Sequence, residues 1–232
     1  MPSKKIEHAI RNIIDKFPGC KGLSESDPLP NGCRILIDAI RRYGDANIPV
    51  DYWFLEMSEF KGDKSLVKFY FDVTSDIRKA YNDGVKFCLA GNHGVGKTMV
   101  CTCILKKVVE TGYSGLYTTL TDIVTLMASK DSDAKYEAKQ LITEVDFLVI
   151  DEFDPRFMGS DNAADFYGRL LETALRGRIH NKLPLLLCTN SPNVLASFSG
   201  PIRQSITSLM KLVKTVPVLG TDYRPVVAME NK

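Results

Sequence analysis

Gly91-Asn92-His93-Gly94-Val95-Gly96-Lys97-Thr98 has the spacing G-x-x-x-x-G-K-[ST], that of a loop that wraps a phosphate. The residue types explain why. Gly91, Gly94 and Gly96 carry no Cβ, so the backbone can curl with its N–H groups turned inward around an anion. Lys97 brings a point charge for the β- and γ-phosphates of a nucleotide, and Thr98 offers a hydroxyl to Mg²⁺. A glycine-rich string can also be a surface turn before a helix, so the flanks matter. On the near side, Val85-Lys86-Phe87-Cys88-Leu89-Ala90 reads as a buried strand. On the far side, Met99 to Glu110 reads as a helix, with Val100, Cys103, Ile104, Lys107 and Val108 near helical spacing. Strand, loop and helix in that order set a helix N-terminus under a phosphate.

From residue 85 onward, strand and helix patterns alternate, the mark of a mostly parallel α/β sheet. Gly115 to Leu120 reads as the next strand, and Thr121-Asp122 as the cap of a helix over Ile123 to Ser129. A polar helix is expected from Ala134 to Thr143. The apolar run Asp146-Phe147-Leu148-Val149-Ile150 then ends in Asp151-Glu152. At the tip of a strand beside such a loop, Asp151 can serve the metal held by Thr98, and Glu152 can accept a proton from an attacking water. A pair of solvated acids at a strand end is the plain alternative.

Phe153-Asp154-Pro155-Arg156 leads away as a loop, followed by a helix over Ala163 to Ile179 with Phe166, Leu170, Leu171, Ala174 and Leu175 inward. Pro184 to Asn190 reads as another strand. Asn190 at its tip can orient a water or touch a γ-phosphate, or else cap a helix after Pro192. The polar tips favour the first role, because parallel sheets bind ligands at the C-terminal ends of their strands. A helix over Ile202 to Lys214, carrying Arg203, Lys211 and Lys214, precedes a final strand, Thr215 to Leu219, whose proline suits an edge.

The front of the chain is helical. Ile6, Ile10, Ile13, Ile14 and Phe17 define an amphipathic helix over residues 1–17, and Arg34 to Tyr43 a second one. Between them, Cys20 to Gly32 reads as loop. Asn47 to Phe54 holds the single tryptophan and reads as a docking segment, with aromatic stacking on bases as the sharper alternative. Ser65 to Asn82 reads as one helix. Cys88, Cys101, Cys103 and Cys188 fit buried, reduced positions, whereas Cys20 and Cys33 could join His8 at a zinc only with a fourth ligand that the sequence does not supply.

A net charge of +2 neither demands nor excludes nucleic acid. No apolar run is long enough to cross a bilayer, and the first residues lack the apolar core of a signal peptide, so a cytoplasmic protein is expected.

Gly91 to Thr98, Phe147 to Asp154, Leu186 to Asn190 and Gly220-Thr221-Asp222-Tyr223-Arg224 together resemble the DnaC/IstB family of AAA+ ATPases, which holds helicase loaders and transposition helpers. The resemblance spans about residues 45–225. It implies an α/β P-loop NTPase fold (AAA+/ASCE), a three-layer sandwich on a mostly parallel five-stranded sheet with one strand between those bearing the loop and the acids. A small, mainly helical N-terminal region is added to it. The expected division is 1–45 as a helical partner-binding region, 46–84 as linker and docking segment, and 85–232 as an ATPase domain without a separate lid. The resemblance implies ATP and Mg²⁺ as cofactors. The nucleotide would lie on Gly91, Asn92, His93, Gly94, Val95, Gly96, Lys97, Thr98 and Met99, and the metal on Thr98 and Asp151. Lys97, Glu152 and Asn190 are the expected catalytic residues, with Glu152 as base and Asn190 as sensor.

Relatives complete the site with an arginine from a neighbouring subunit. Here Ser208 occupies the expected position, leaving Arg203 and Arg178 as the candidates. Surface charge is the alternative role for Arg203, and a helix C-terminal charge for Arg178. The leading functional expectation is a helicase loader of a phage or other mobile replicon. Its partners would be a replicative helicase, single-stranded DNA and further copies of itself in an ATP-dependent oligomer, with no membrane. The amphipathic first helix suits groove docking on a helicase, or packing on the chain's own core. A transposition helper on duplex DNA, a small-molecule P-loop kinase and a nucleotide-gated adaptor with little turnover are the other readings.

Overall fold

The computed structural model describes residues 4–154, 161–191 and 200–223. Five strands form one sheet: β1 (Lys86–Gly91), β2 (Gly115–Thr119), β3 (Phe147–Asp151), β4 (Leu185–Thr189) and β5 (Lys214–Val218). They lie in the order β2-β3-β4-β1-β5, and every pairing is parallel. All the strand tips therefore point the same way. β4 lies between the loop-bearing β1 and the acid-tipped β3, as the resemblance implies, and Pro217 falls on the edge strand β5, where a missing N–H is tolerated.

The central strands are buried on both faces, which is why they read as unbroken apolar runs. Alternation assigns each residue to a side. Phe147, Val149, Leu186 and Cys188 join one core, while Leu148, Ile150, Leu185 and Leu187 join the other. The first core is covered by α5 (Lys97–Glu110) and by the N-terminal helices α1 (Lys4–Lys16), α2 (Asn31–Asp45), α3 (Lys64–Thr74) and α4 (Ile77–Asn82). The second is covered by α6 (Leu120–Ala128), α7 (Ser132–Glu144), α8 (Asp161–His180) and α9 (Gly200–Met210). The result is a helix–sheet–helix sandwich.

The front of the chain shares the core of the sheet. Ile6, Ala9, Ile10, Ile13 and Ile14, one stripe of α1, are buried together with Ile37, Ile40 and Tyr43 of α2 and with Val108 and Val109 of α5. The apolar face of α1 is thus turned onto the chain itself. Trp53 is buried as well, its indole N–H bonded to the Ile48 carbonyl at 2.8 Å, so the docking reading of that segment holds for its tryptophan. Lys106 of α5 secures the segment from beneath: its ammonium bonds the carbonyls of Trp53 and Leu55 and lies 5.7 Å from the ring centre of Tyr43. Cys20 and Cys33 are both fully buried, while His8 is on the exposed side of α1.

Three local expectations change; the last helix ends at Met210, so Lys211 and Lys214 lie beyond it and Lys214 opens β5. The helix expected over Ser65 to Asn82 is two helices, because Asp76 leaves helical geometry (φ −147°) and its carboxylate caps a new turn at the Lys79 N–H, 2.8 Å away. The helix after β2 starts earlier than Thr121. Thr119 is its cap and Asp122 reaches back to the Thr119 N–H, a capping box that leaves Thr121 inside the first turn. Pro155, Arg156, the helix expected after Pro192 and Arg224 fall outside the described residues, as do the side chains of Phe166 and Leu170. Among the described residues, no helix is long and apolar enough to cross a membrane.

Candidate active site

The loop between β1 and α5 turns where glycine is required. Gly94 and Gly96 take φ of +72° and +94°, left-handed conformations that a side chain strains. A Cβ on Gly94 would strike the Asp222 carboxylate, and one on Gly96 the ring of Phe60. Tyr223 donates its N–H to the Gly94 carbonyl at 3.1 Å. The loop is therefore closely walled by segments from both ends of the chain. Gly96 precedes α5 without a side-chain cap, which leaves first-turn N–H groups directed toward whatever the loop encloses.

Lys97 is buried, and its ammonium is aimed by three oxygens: the carbonyls of Gly91 (2.8 Å) and Asn92 (2.6 Å), and Oδ1 of Asn190 (2.8 Å). Next to it, the Thr98 hydroxyl donates to Oδ2 of Asp151 at 2.7 Å. The strand order explains both contacts, since β1, β4 and β3 are consecutive and their tips form one row. The structure thus brings together Lys97, Thr98, Asp151 and Asn190. Glu152 follows at the tip in a left-handed conformation (φ +50°) with its side chain exposed. Its N–H donates to Oδ1 of Asp151 at 2.8 Å. A non-glycine residue held this way costs about 1–2 kcal/mol, and such strain concentrates at functional sites. Asn92 and His93 are exposed, and Val95 is buried under the loop.

Tyr117 was not among the residues expected here. It is buried in β2, and its hydroxyl donates to Oδ2 of Asp151 at 2.8 Å, the same oxygen that Thr98 meets. Burial, and then the neighbouring carboxylate, push its phenol far above the ordinary tyrosine value, so it stays a donor. Register was the available signal: Tyr117 pairs with Val149, two residues before Asp151 on the same face of β3, and a tyrosine is long enough to reach along that face.

The two arginine candidates part company. Arg203 is exposed on α9. Arg178 is fully buried, and its guanidinium donates to the carbonyls of Ile142 (2.8 Å), Val145 (2.9 Å), Asp146 (3.0 Å) and Pro184 (2.6 Å). Burial depresses its pKa to about 10, which still leaves it charged near neutrality. This corrects the expectation for Arg178: it ties the start of β3 to the start of β4 within one chain and is not presented to a neighbour. A cavity of about 500 Å³ lies between Arg42, Val109, Tyr113, Leu116 and Leu141, and it is lined by none of the expected site residues.

The chemistry of the donors suits a magnesium nucleotide. A hydroxyl and a carboxylate at one point are hard oxygen ligands of the kind Mg²⁺ takes, usually few from protein and the rest from water and phosphate. The glycine loop, uncapped helix start and buried lysine offer the matching anion site.

Residues 54–176 match the family model described as IstB-like ATP binding protein. No curated protein matches the chain. Among solved structures, DnaI is similar at a TM-score of 0.62 and 16% identity, over 74% of this chain and 95% of that one. The DnaC helicase loader is similar at 0.55 and 15%, over 73% of this chain and 99% of that one. AMPPCP-bound DnaA from Aquifex aeolicus is similar at 0.54 and 15%, over 74% of this chain and 51% of that one. At such identities the likeness is one of fold.

Proposed function

We infer from its family, the IstB-like ATP-binding proteins within the DnaC/IstB-type AAA+ ATPases, to which this chain belongs, that it hydrolyses ATP to drive helicase loading in DNA replication. In this reading the protein binds Mg²⁺-ATP and single-stranded DNA, associates with further copies of itself and delivers a replicative helicase. The observation that carries the ATPase part is the convergence of Lys97, Thr98, Asp151 and Asn190 from three adjacent strand tips.

Bound Mg²⁺-ATP supplies the phosphoanhydride and its reactive γ-phosphoryl group. The chain's residues then divide the work. Lys97 would neutralise phosphate charge from within the loop, and Thr98 and Asp151 would hold the metal. Glu152, exposed at the strand tip, takes the proton of the attacking water. Asn190, tethered to Lys97, senses the γ-phosphate. Arg203, exposed on α9, is the remaining candidate to act on a neighbouring subunit's nucleotide.

The loader reading draws on the similarity to DnaI and to the DnaC helicase loader over nearly their whole solved chains. A transposition helper on duplex DNA is the second reading, favoured by the IstB-like family model itself. Fluorescence anisotropy separates them, using labelled single-stranded and duplex oligonucleotides at one salt concentration with an ATP analogue, ADP or no nucleotide. ATP-dependent preference for single strands supports loading, and preference for duplex supports the helper. Binding to neither in any state overturns both.

A further inference from the structure

Asp151 is held by more than the phosphate loop. Its Oδ2 receives both the Thr98 hydroxyl (2.7 Å) and the Tyr117 hydroxyl (2.8 Å), while Oδ1 receives the Glu152 N–H (2.8 Å). Of the side chains that donate to Asp151, Thr98 is itself an expected metal ligand. A hydroxyl that lends a lone pair to a cation keeps its O–H, so Thr98 and Tyr117 can both steady Oδ2 with a metal bound, and of the two it is Tyr117 that is not itself an expected metal ligand. Donors of this kind, which touch the ligand and not the metal, fix ligand orientation.

Tyr117 is in turn held from outside the sheet. β2 is an edge strand, and its free edge at this residue is met by the turn after α2: the Tyr117 N–H donates to the Ala46 carbonyl at 2.8 Å, and the Asn47 amide donates to the Tyr117 carbonyl at 3.0 Å. Asn47 adopts φ +53°, a conformation asparagine tolerates better than most residues and one that turns the chain back along the strand. Both backbone groups of Tyr117 on that edge are thus engaged by the N-terminal region, while its hydroxyl touches the carboxylate at the neighbouring strand tip. Trp53 and Lys106 fix the same region onto α5, so the turn at Asn47 has a rigid base.

We propose that Tyr117 is a positioning residue for the divalent cation at Asp151, and that Asn47 holds it in place, linking the N-terminal region to the metal site. The proposal rests on the nucleotide-site reading above and adds a residue and a connection to it. Tyr117 acts through Asp151 and touches neither nucleotide nor metal.

The test is Mg²⁺ titration of a fluorescent ADP analogue bound to the full chain, compared with its binding in EDTA. Tyr117→Phe keeps the ring and the packing and removes only the hydroxyl. It should raise the Mg²⁺ concentration at half-effect by roughly tenfold, as loss of such a supporting contact does elsewhere, and leave binding in EDTA unchanged. Asn47→Gly keeps the left-handed turn and removes the amide, and should shift the Mg²⁺ half-point in the same direction by less. An unshifted half-point in Tyr117→Phe overturns the positioning role. An equal loss with and without metal overturns it too, since that marks a contribution to the fold and not to the cation. An unshifted Asn47→Gly beside a shifted Tyr117→Phe overturns the link to the N-terminal region. Failure of the unaltered protein to bind the analogue at all would instead remove the nucleotide-site reading itself.

Discussion

Lys97 and Asn190 are joined by a 2.8 Å hydrogen bond across 93 residues of sequence, from the base of the phosphate loop to the tip of the adjacent strand. The bond makes the lysine's position depend on β4 as well as on its own loop. Asn190→Ala should leave Lys97 its two loop carbonyls and hence much of its nucleotide affinity. It should remove the group proposed to meet the γ-phosphate. ATP turnover is expected to fall about 100-fold, the scale of a lost transition-state donor, with a much smaller change in ADP affinity by titration. Equal losses in both would make Asn190 a support for the loop and not a sensor.

Arg178 should prove to be a stability residue. Arg178→Met removes the donors for four carbonyls, two of them buried and two part-buried, and should cost roughly 3–5 kcal/mol in urea denaturation. Arg178→Lys should recover little, because one ammonium cannot reproduce a planar fork that spans two strand starts. Wild-type stability in Arg178→Met would leave the residue open to an intersubunit role after all.

The sheet, and the residues that the fold gathers at the candidate site, were legible in the sequence because their signals are local. A glycine loop between a strand and a helix, and acids at the end of an apolar run, can be read without knowing what lies across from them. Arg178 was misread for the opposite reason: a charge near a helix end suggests the surface, and its partners come from Ile142, Val145, Asp146 and Pro184 elsewhere in the chain. Yet the spacing held a clue, since Leu171, Ala174 and Leu175 put residue 178 on the buried stripe of α8. Tyr117 was missed because its contact with Asp151 depends on register between β2 and β3, which no single strand carries. The break at Asp76 shows a cap overriding an otherwise continuous apolar stripe.

The N-terminal helix should count toward the stability of the whole molecule. Ile10 of α1 is 5% exposed within the core shared with α5, so Ile10→Ala should cost about 2–4 kcal/mol. Ile35 of α2 is 68% exposed, and Ile35→Ser should stay within about 0.5 kcal/mol. Thermal melts of the two variants would show it. Insensitivity to Ile10→Ala would mean that α1 is detached in solution.

Buried thiols should make stability fall on the alkaline side. Burial pushes Cys88 up to about 12 and Cys103 up to about 11, from an ordinary value of 9.0. Because the unfolded chain ionises first, the neutral thiols stabilise the fold fully below pH 9. That contribution is lost as pH rises from 9 toward 11 and 12. Tyr43 and Tyr117, also raised, add to the loss only above their ordinary 10.0, which leaves the first step to the thiols. Urea midpoints should therefore drop between pH 8 and 10 by the equivalent of about 2–3 kcal/mol. A Cys88→Ala/Cys103→Ala protein should show a flatter profile, and an identical slope would assign the loss to other groups.

Glu152 separates conformation from chemistry. Its φ of +50° is strained for glutamate and relaxed for glycine. Glu152→Gly should raise the unfolding free energy by about 0.5–1 kcal/mol and lower ATP turnover by at least roughly 100-fold if the carboxylate is the base. Glu152→Gln keeps the strain and loses the base, so it should match the turnover loss without the gain in stability. ATP should then persist on the Glu152→Gln protein in a single-turnover assay, because the proposed binding groups Lys97, Thr98 and Asp151 are untouched. Wild-type hydrolysis by Glu152→Gln would place the base elsewhere. A stabilised but active Glu152→Gly would show that the strained tip is a feature of the turn alone.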